Sequence, residues 1–248
     1  MKPYGFYIHG CVDGHSRKVI WLRLVPSNND PFVIAQIFSE CCREAGGIPA
    51  RVRSDCGTEN VIVAGAQSYL RRHDDDEHAG LRAHIYGPST GNQRIEAWWS
   101  IFRRVRSTDI ISYFRDLADS GEFNAADEFQ VYLLRYCFAD LVRRELHDMV
   151  EYWNAHRIRA SQYARVSGHP NILYALPHLV NAEDQLHDFN EEDFELVERH
   201  ISENNTERDM IDPEYYNYFQ DVSSQIDSRS PTTWNEAKEL YRTIMSFQ

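Results

Sequence analysis

The sequence predicts an α/β protein in which helices cover a sheet. Three observations carry that reading: strand-like and helix-like segments alternate along the N-terminal half, turn and cap residues punctuate them, and the apolar residues of the helical segments recur on one face. With 248 residues, 42% of them hydrophobic, the chain is long enough for one sizeable core or for a core with a helical extension.

Tyr4 to Val12 is aromatic and β-branched, Asp13-Gly14 is a turn dipeptide, and Lys18 to Val25 is again strand-like, so the pair reads as a β-hairpin. His9 and Trp21 within it read as satisfied core residues rather than ligands. Asp30 can cap and Pro31 can open a helix whose apolar residues Val33, Ile34, Ile37, Phe38 and Cys41 keep helical spacing until Gly46-Gly47 stops it. A short strand over Ala50 to Arg53 leads into Ser54-Asp55-Cys56-Gly57-Thr58-Glu59-Asn60 and a helix to about Arg72. A further strand, Ala83 to Tyr86, precedes the loop Gly87 to Gly91 and a helix from about Asn92 to Arg106. Phe129, Tyr132, Leu133, Tyr136, Leu141 and Val142 then mark a long helix whose stripe should pack on the core or on a second copy of the chain.

Composition removes several functional classes. Five cysteines, odd in number and without CxxC spacing, argue against a disulfide scaffold or a structural zinc site. No apolar run is long enough to span a bilayer and the first residues are not a signal peptide, so a soluble nuclear or cytoplasmic protein is expected. The formal charge of −12 opposes binding to nucleic acid, but its distribution is uneven. Glu183 to Asp227 is acid-rich with only Arg199 and Arg208 as basic partners, and reads as a solvated or partly disordered surface. Arg94 to Arg106, by contrast, holds four arginines and one carboxylate. The tyrosine-rich Pro213 to Tyr218 carries no assignable motif.

The residues with chemistry gather where strands end. Ligands of open α/β sheets collect at the carboxyl ends of strands, and Asp55 lies just past one, followed by a glycine that lets a substrate approach the backbone. Taken alone, Asp55 reads equally as a turn or cap aspartate. In the later helix Ile95, Trp98, Trp99 and Phe102 form a stripe that must face the sheet, and Glu96 stands about 100° round from Ile95 at its border. The run His73-Asp74-Asp75-Asp76-Glu77-His78 reads as a solvated surface loop rather than a metal site.

Three segments in order, Val12-Asp13-Gly14-His15-Ser16-Arg17, Ser54 to Asn60, and Gly87 to Glu96 with its "NxRxE" helix start, resemble the landmarks of the integrase core of retroviruses, retrotransposons and their relatives in animal genomes. The resemblance runs from about Tyr4 to Arg159, where Trp153 to Arg159 looks like the family's closing helix, and lapses beyond Leu176. It implies an RNase H-like mixed sheet, five-stranded in the family, flanked by helices. The expected domains are an integrase catalytic core over 1–160 and an acidic, mostly helical or partly disordered extension over 161–248.

The resemblance also implies a mechanism, DNA cleavage and joining by carboxylates that hold two Mg²⁺ (or Mn²⁺) ions about 4 Å apart. Asp55 matches the family's second Asp and Glu96 its terminal Glu, so both are expected catalytic metal ligands. The family's first Asp sits on a strand that would lie before Met1. Asp13 is then a turn residue of the hairpin, or, on the other assignment, the third catalytic carboxylate. Asn92, Gln93, Arg94, Arg103, Arg104 and Arg106 are the candidate DNA contacts. The primary expectation is a transposon-derived integrase core, impaired without its first carboxylate. The alternatives are a domesticated module that binds DNA or protein without cutting, and an RNase H-like nuclease; a homo-oligomer is compatible with each.

Overall fold

A computed structural model describes residues 1–27, 29–88, 92–160, 166–205, 210–226 and 229–247. Ser89, Thr90 and Gly91 of the expected loop lie outside the described residues, as do Arg208 and Asp227 of the acidic stretch.

Strand β1 (Tyr7–Val12) pairs antiparallel with β2 (Val19–Val25), from Tyr7 opposite Val25 to Val12 opposite Val19, as the alternation predicted. Side chains of a strand alternate between faces, and here each face has its own core. Ile8, Val12, Leu22 and Leu24 turn toward one hydrophobic cluster; Tyr7, Cys11, Trp21 and Val25 turn toward the other. The hairpin therefore separates two helical layers.

On the second face lies α1 (Pro31–Ala45), started by the Asp30 carboxylate accepting from the Phe32 N–H at 2.8 Å and ended by Gly46 at φ 71°. After β3 (Ile48–Pro49) come β4 (Val52–Ser54) and α2 (Val61–Leu70), and β5 (His84–Tyr86) then pairs parallel with β4. On the first face lie α3 (Gln93–Phe102), α4 (Thr108–Asp119) and the long α5 (Glu128–Ala155), followed by the short α6 (Pro170–Ala175). Leu133, Leu141 and Val142 of α5 are buried inside the molecule, which accounts for its stripe without a second copy. Near its end, Asn154 gives its amide to both backbone groups of Val19, at 2.8 and 3.0 Å, covering the outer edge of β2.

Two expectations need correction. One mixed sheet was expected; among the described residues the strands form three separate two-stranded ladders, β1 with β2, β4 with β5, and β3 with β6 (Leu186–His187). No described strand pairs with both β1 and β4, so no backbone ladder joins the two main pairs among the described residues. The expected closing helix over Trp153 to Arg159 also stops early. His156 turns to ψ 156° and Ile158 forms a β-bridge with Gly168 instead.

The acid-rich stretch is not simply a solvated surface. It contains α7 (Glu191–Asn204) and α8 (Pro213–Gln225), and is followed by α9 (Trp234–Met245). Phe194 and Ile201 of α7 are fully buried in the second cluster, whereas Phe219 of α8 and Ile244 of α9 are fully buried in the first. Three of the acids of α7 face cations: Arg43 bonds Glu198 at 2.6 Å and also Glu191, and Arg72 bonds Asp193 at 2.8 Å. Amphipathic periodicity, not net charge, decides such a segment, because one apolar stripe is enough to dock a helix.

Candidate active site

Asp55 follows directly on β4. Its Oδ1 accepts from the Gly57 N–H at 3.3 Å and from Asn60 Nδ2 at 3.1 Å, and no donor reaches Oδ2 among the described residues. Asn60 is buried and donates from the same nitrogen to Glu59 Oε1 at 3.1 Å, which brings a second carboxylate beside Asp55. The space over Gly57, expected to admit a substrate, is filled by that Glu59 carboxylate: a Cβ on Gly57 would stand 2.2 Å from Oε1. Sequence reasoning missed Glu59 and Asn60 as neighbours, although both lie in the motif that singled out Asp55.

Glu96 lies in the first turn of α3, exposed, with its backbone N–H donating to the Asn92 carbonyl at 3.1 Å. Its carboxylate has no hydrogen bond or ion pair among the described residues. The helix is seated by its apolar stripe, as expected: Trp98 and Phe102 are buried, Ile95 and Trp99 partly so. Trp99 lies over β1 at Gly10, where an added Cβ would come within 3.3 Å of the indole. The β4 strand meets the start of α3 through Arg53, whose Nε donates to Asn92 Oδ1 at 3.0 Å.

Asp13 sits in a different setting. Its Oδ2 accepts from the His15 N–H at 3.1 Å, the Ser16 N–H at 2.5 Å and the Ser16 hydroxyl at 2.7 Å, while its backbone N–H donates to the Lys18 carbonyl at 2.8 Å. These bonds close the hairpin turn and hold the carboxylate through Oδ2, while no donor reaches Oδ1 among the described residues. His9, on β1, is near enough to Asp55 to feel its charge. Burial pushes the His9 imidazole down to about 4 and the Asp55 carboxylate partly opposes this; Trp21 Nε1 donates to Nδ1 at 3.0 Å, which fixes a neutral ring with its proton on Nε2.

The candidate DNA contacts are spread along the helix rather than gathered. Asn92 is engaged by Arg53, Gln93 is exposed, and Arg94 stands near Arg17, whose guanidinium is pushed down first by burial and then by Arg94. The helix does not end near Arg106 as expected. A π-turn over Arg103–Ser107 carries it straight into α4. That extra residue keeps the buried face in register, from Phe102 to Ser107 and Ile110, and leaves residues 103 to 106 all exposed. The Thr108 hydroxyl donates to the Arg103 carbonyl at 2.6 Å. Arg106 reaches Glu145 at 3.6 Å, so one of the four cations is already shared with a carboxylate.

The acidic run 73–78 is more than a solvated loop. Arg71, 1% exposed, donates from Nε to Asp74 at 2.7 Å, from Nη2 to Asp76 and from Nη1 to the Ala50 carbonyl, with His187 Nδ1 3.2 Å from Nη2. Asp74, Asp76 and His187 could by distance hold a cation. The Arg71 guanidinium already occupies that position as the counter-charge, and a dication would have to displace it. The open Oδ2 of Asp55 and the unpartnered Glu96 carboxylate are the hard oxygen donors that suit Mg²⁺ or Mn²⁺.

Fold and motifs together define an α/β core of the kind that integrases carry. A family model described as the integrase core domain matches residues 1–185, and the chain belongs to that family. No curated protein and no solved structure matches it significantly. No described helix is long and apolar enough to cross a membrane.

Proposed function

We propose that this chain is a transposon-derived integrase core that cuts and joins DNA strands with Asp55 and Glu96 as metal ligands. The observation that carries the reading is that Asp55 Oδ2 and the Glu96 carboxylate have no donor among the described residues and stand on two segments tied together by the Arg53–Asn92 hydrogen bond. Bound Mg²⁺ or Mn²⁺ would supply Lewis-acid activation of an attacking oxygen and stabilisation of a leaving one. The chain's own residues do the rest. Asn60 and Gly57 orient Asp55 through Oδ1 and leave Oδ2 for the metal. Asn92, Gln93, Arg94, Arg103, Arg104 and Arg106 align the DNA backbone along α3 and the π-turn, with affinity that falls steeply as salt rises.

Two carboxylates are one short of the family's trio, and Asp13 is held in its turn. We infer that the residues at hand hold one cation better than two, because two dications need more negative charge than Asp55 and Glu96 provide. The acidic helices after residue 160 form, on this reading, an extension that braces the core rather than a part of the site.

The test is a nicking and strand-transfer assay in Mg²⁺ and Mn²⁺ on the chain, its Asp55→Asn and Asp13→Asn forms, and a form extended upstream. The expected result is feeble cleavage by the chain, stronger cleavage by the extended form, and none with Asp55→Asn. Robust cleavage by the chain that both substitutions abolish would make Asp13 the third ligand. DNA binding with no cleavage by any form would favour a domesticated binding module instead.

A further inference from the structure

Arg53 is exposed on β4, one residue from its end, yet its guanidinium is placed with care. Nε donates to Asn92 Oδ1 at 3.0 Å. The group lies close to Gly87, where an added Cβ would come 2.6 Å from Nη2 and 3.2 Å from Cζ. Gly87 itself donates its backbone N–H to the Ser54 carbonyl at 3.0 Å, extending the β4–β5 pairing by one residue. Gly87 closes β5 and Asn92 opens α3, so one side chain touches both ends of the connection between them.

Asn92 makes the arrangement informative. It occupies the N-cap position of α3, where an Asn side chain ordinarily accepts from the helix's own first N–H groups, but no such bond is formed. Its amide oxygen is turned to Arg53 instead, while its backbone carbonyl accepts the Glu96 N–H at 3.1 Å. The helix start gives up an internal cap and gains a link to the strand that leads into Asp55. Exposed polar links of this kind add little to stability, so a gain in positioning is what remains.

We infer that Arg53 is a positioning residue of the candidate active site: it clamps both ends of the β5–α3 connection onto β4 and so sets where Glu96 stands relative to Asp55. The inference rests on reading those two carboxylates as metal ligands. Residues that hold ligands in place commonly change metal affinity 10- to 100-fold when removed. The guanidinium can rest against Gly87 through Nη2 and donate from Nε to Asn92 at once. A lysine ammonium could do only the second.

The experiment compares the unaltered chain with Arg53→Ala, Arg53→Lys and Gly87→Ala, reading Mn²⁺ affinity by calorimetry and amide exchange at Glu96 by mass spectrometry, with thermal midpoints as a fold control. Gly87→Ala leaves the charge intact and displaces the guanidinium. Arg53→Ala and Gly87→Ala should each weaken Mn²⁺ about tenfold or more and speed exchange at Glu96, with Arg53→Lys between them and the unaltered chain and all midpoints close. Unchanged affinity in Arg53→Ala and Gly87→Ala would overturn the role of Arg53, whatever happens to exchange, and leave the integrase reading standing. Mn²⁺ binding that ignores Asp55→Asn and Glu96→Gln would overturn the integrase reading instead, and with it a positioning role for Arg53 at that site.

Discussion

Replacing Arg71 by Ala removes a buried guanidinium that ties the approach to β4 to the acidic loop and to the later β6 strand. The side chain is 1% exposed and serves Asp74, Asp76 and the Ala50 carbonyl, two residues before β4. Without it, the Ala50 carbonyl loses a buried donor, a loss of about 1–3 kcal/mol. The Asp74 and Asp76 side chains are 28% and 34% exposed and can turn back toward water, so their contribution is small. Together with the cavity left behind, a loss of about 3 kcal/mol is expected. For a chain of this length that lowers the thermal midpoint by roughly 6–12 °C. Melts followed by circular dichroism would measure it, with Arg71→Met as a companion that refills the volume but restores no donor. If Arg71→Met melts with the unaltered chain, the polar network contributes nothing and the reasoning fails.

Three further outcomes are expected. Asp55→Asn keeps the Oδ1 acceptor for Gly57 and so should fold with unchanged stability while losing Mn²⁺ binding, as should Glu96→Gln; calorimetric titrations with undiminished affinity would remove both residues from the site. His9 titrates at about 4 in the folded chain against 6.5 when unfolded, so its contribution is whole above pH 6.5 and is lost as pH falls toward 4, by at most about 3 kcal/mol. Melts from pH 4 to 7 should show a shallower fall for His9→Gln, and parallel curves would refute the assignment. Replacing Arg94, Arg103, Arg104 and Arg106 by Ala should flatten the salt dependence of DNA affinity by close to one unit of slope per lost phosphate contact. An unchanged slope would place the DNA elsewhere, and Arg106→Ala alone should matter least because Glu145 already shares that charge.

What the sequence revealed and what it hid divide by range. Local signals were reliable: Asp30 and Gly46 bound α1 as their chemistry demands, and the Asp13-Gly14 turn closes the hairpin. The stripe of α3 was readable for the same reason, since Trp98 and Phe102 differ by one helical turn. The π-turn was not, because the missing stop after Arg106 is visible only when Ser107 and Ile110 are seen to continue the buried face. The acidic helices misled through charge: Phe194, Ile201 and Phe219 bury their side chains while the acids around them give the segment its polar average. At the candidate site, the motifs single out Asp55 and Glu96, whose role as metal ligands is the proposal made above. Arg53 and Arg71 carry no such signal, because each acts on partners outside its own segment, Asn92 in one case and Ala50 and His187, together with the nearer Asp76, in the other.

The separate ladders bear on how the site is held. In one continuous sheet, hydrogen bonds between strands would fix the end of β4 against β1 and so place every carboxylate by register. Here β1 pairs only with β2, and β4 only with β5, among the described residues. Side chains and helices therefore carry the alignment: Trp99 over Gly10 seats α3 on the hairpin, Asn154 and Trp153 Nε1, which donates to the Arg17 carbonyl at 2.8 Å, seat α5 on it, and Arg53 ties the start of α3 to β4. Such contacts are individually weak and adjustable compared with a ladder. A strand inserted between β1 and β4 would replace them with a rigid register and add whatever carboxylate it carried. The present arrangement thus predicts a site whose two proposed ligands are held loosely enough for single substitutions at Gly10, Gly87 or Arg53 to be felt in metal affinity before they are felt in stability.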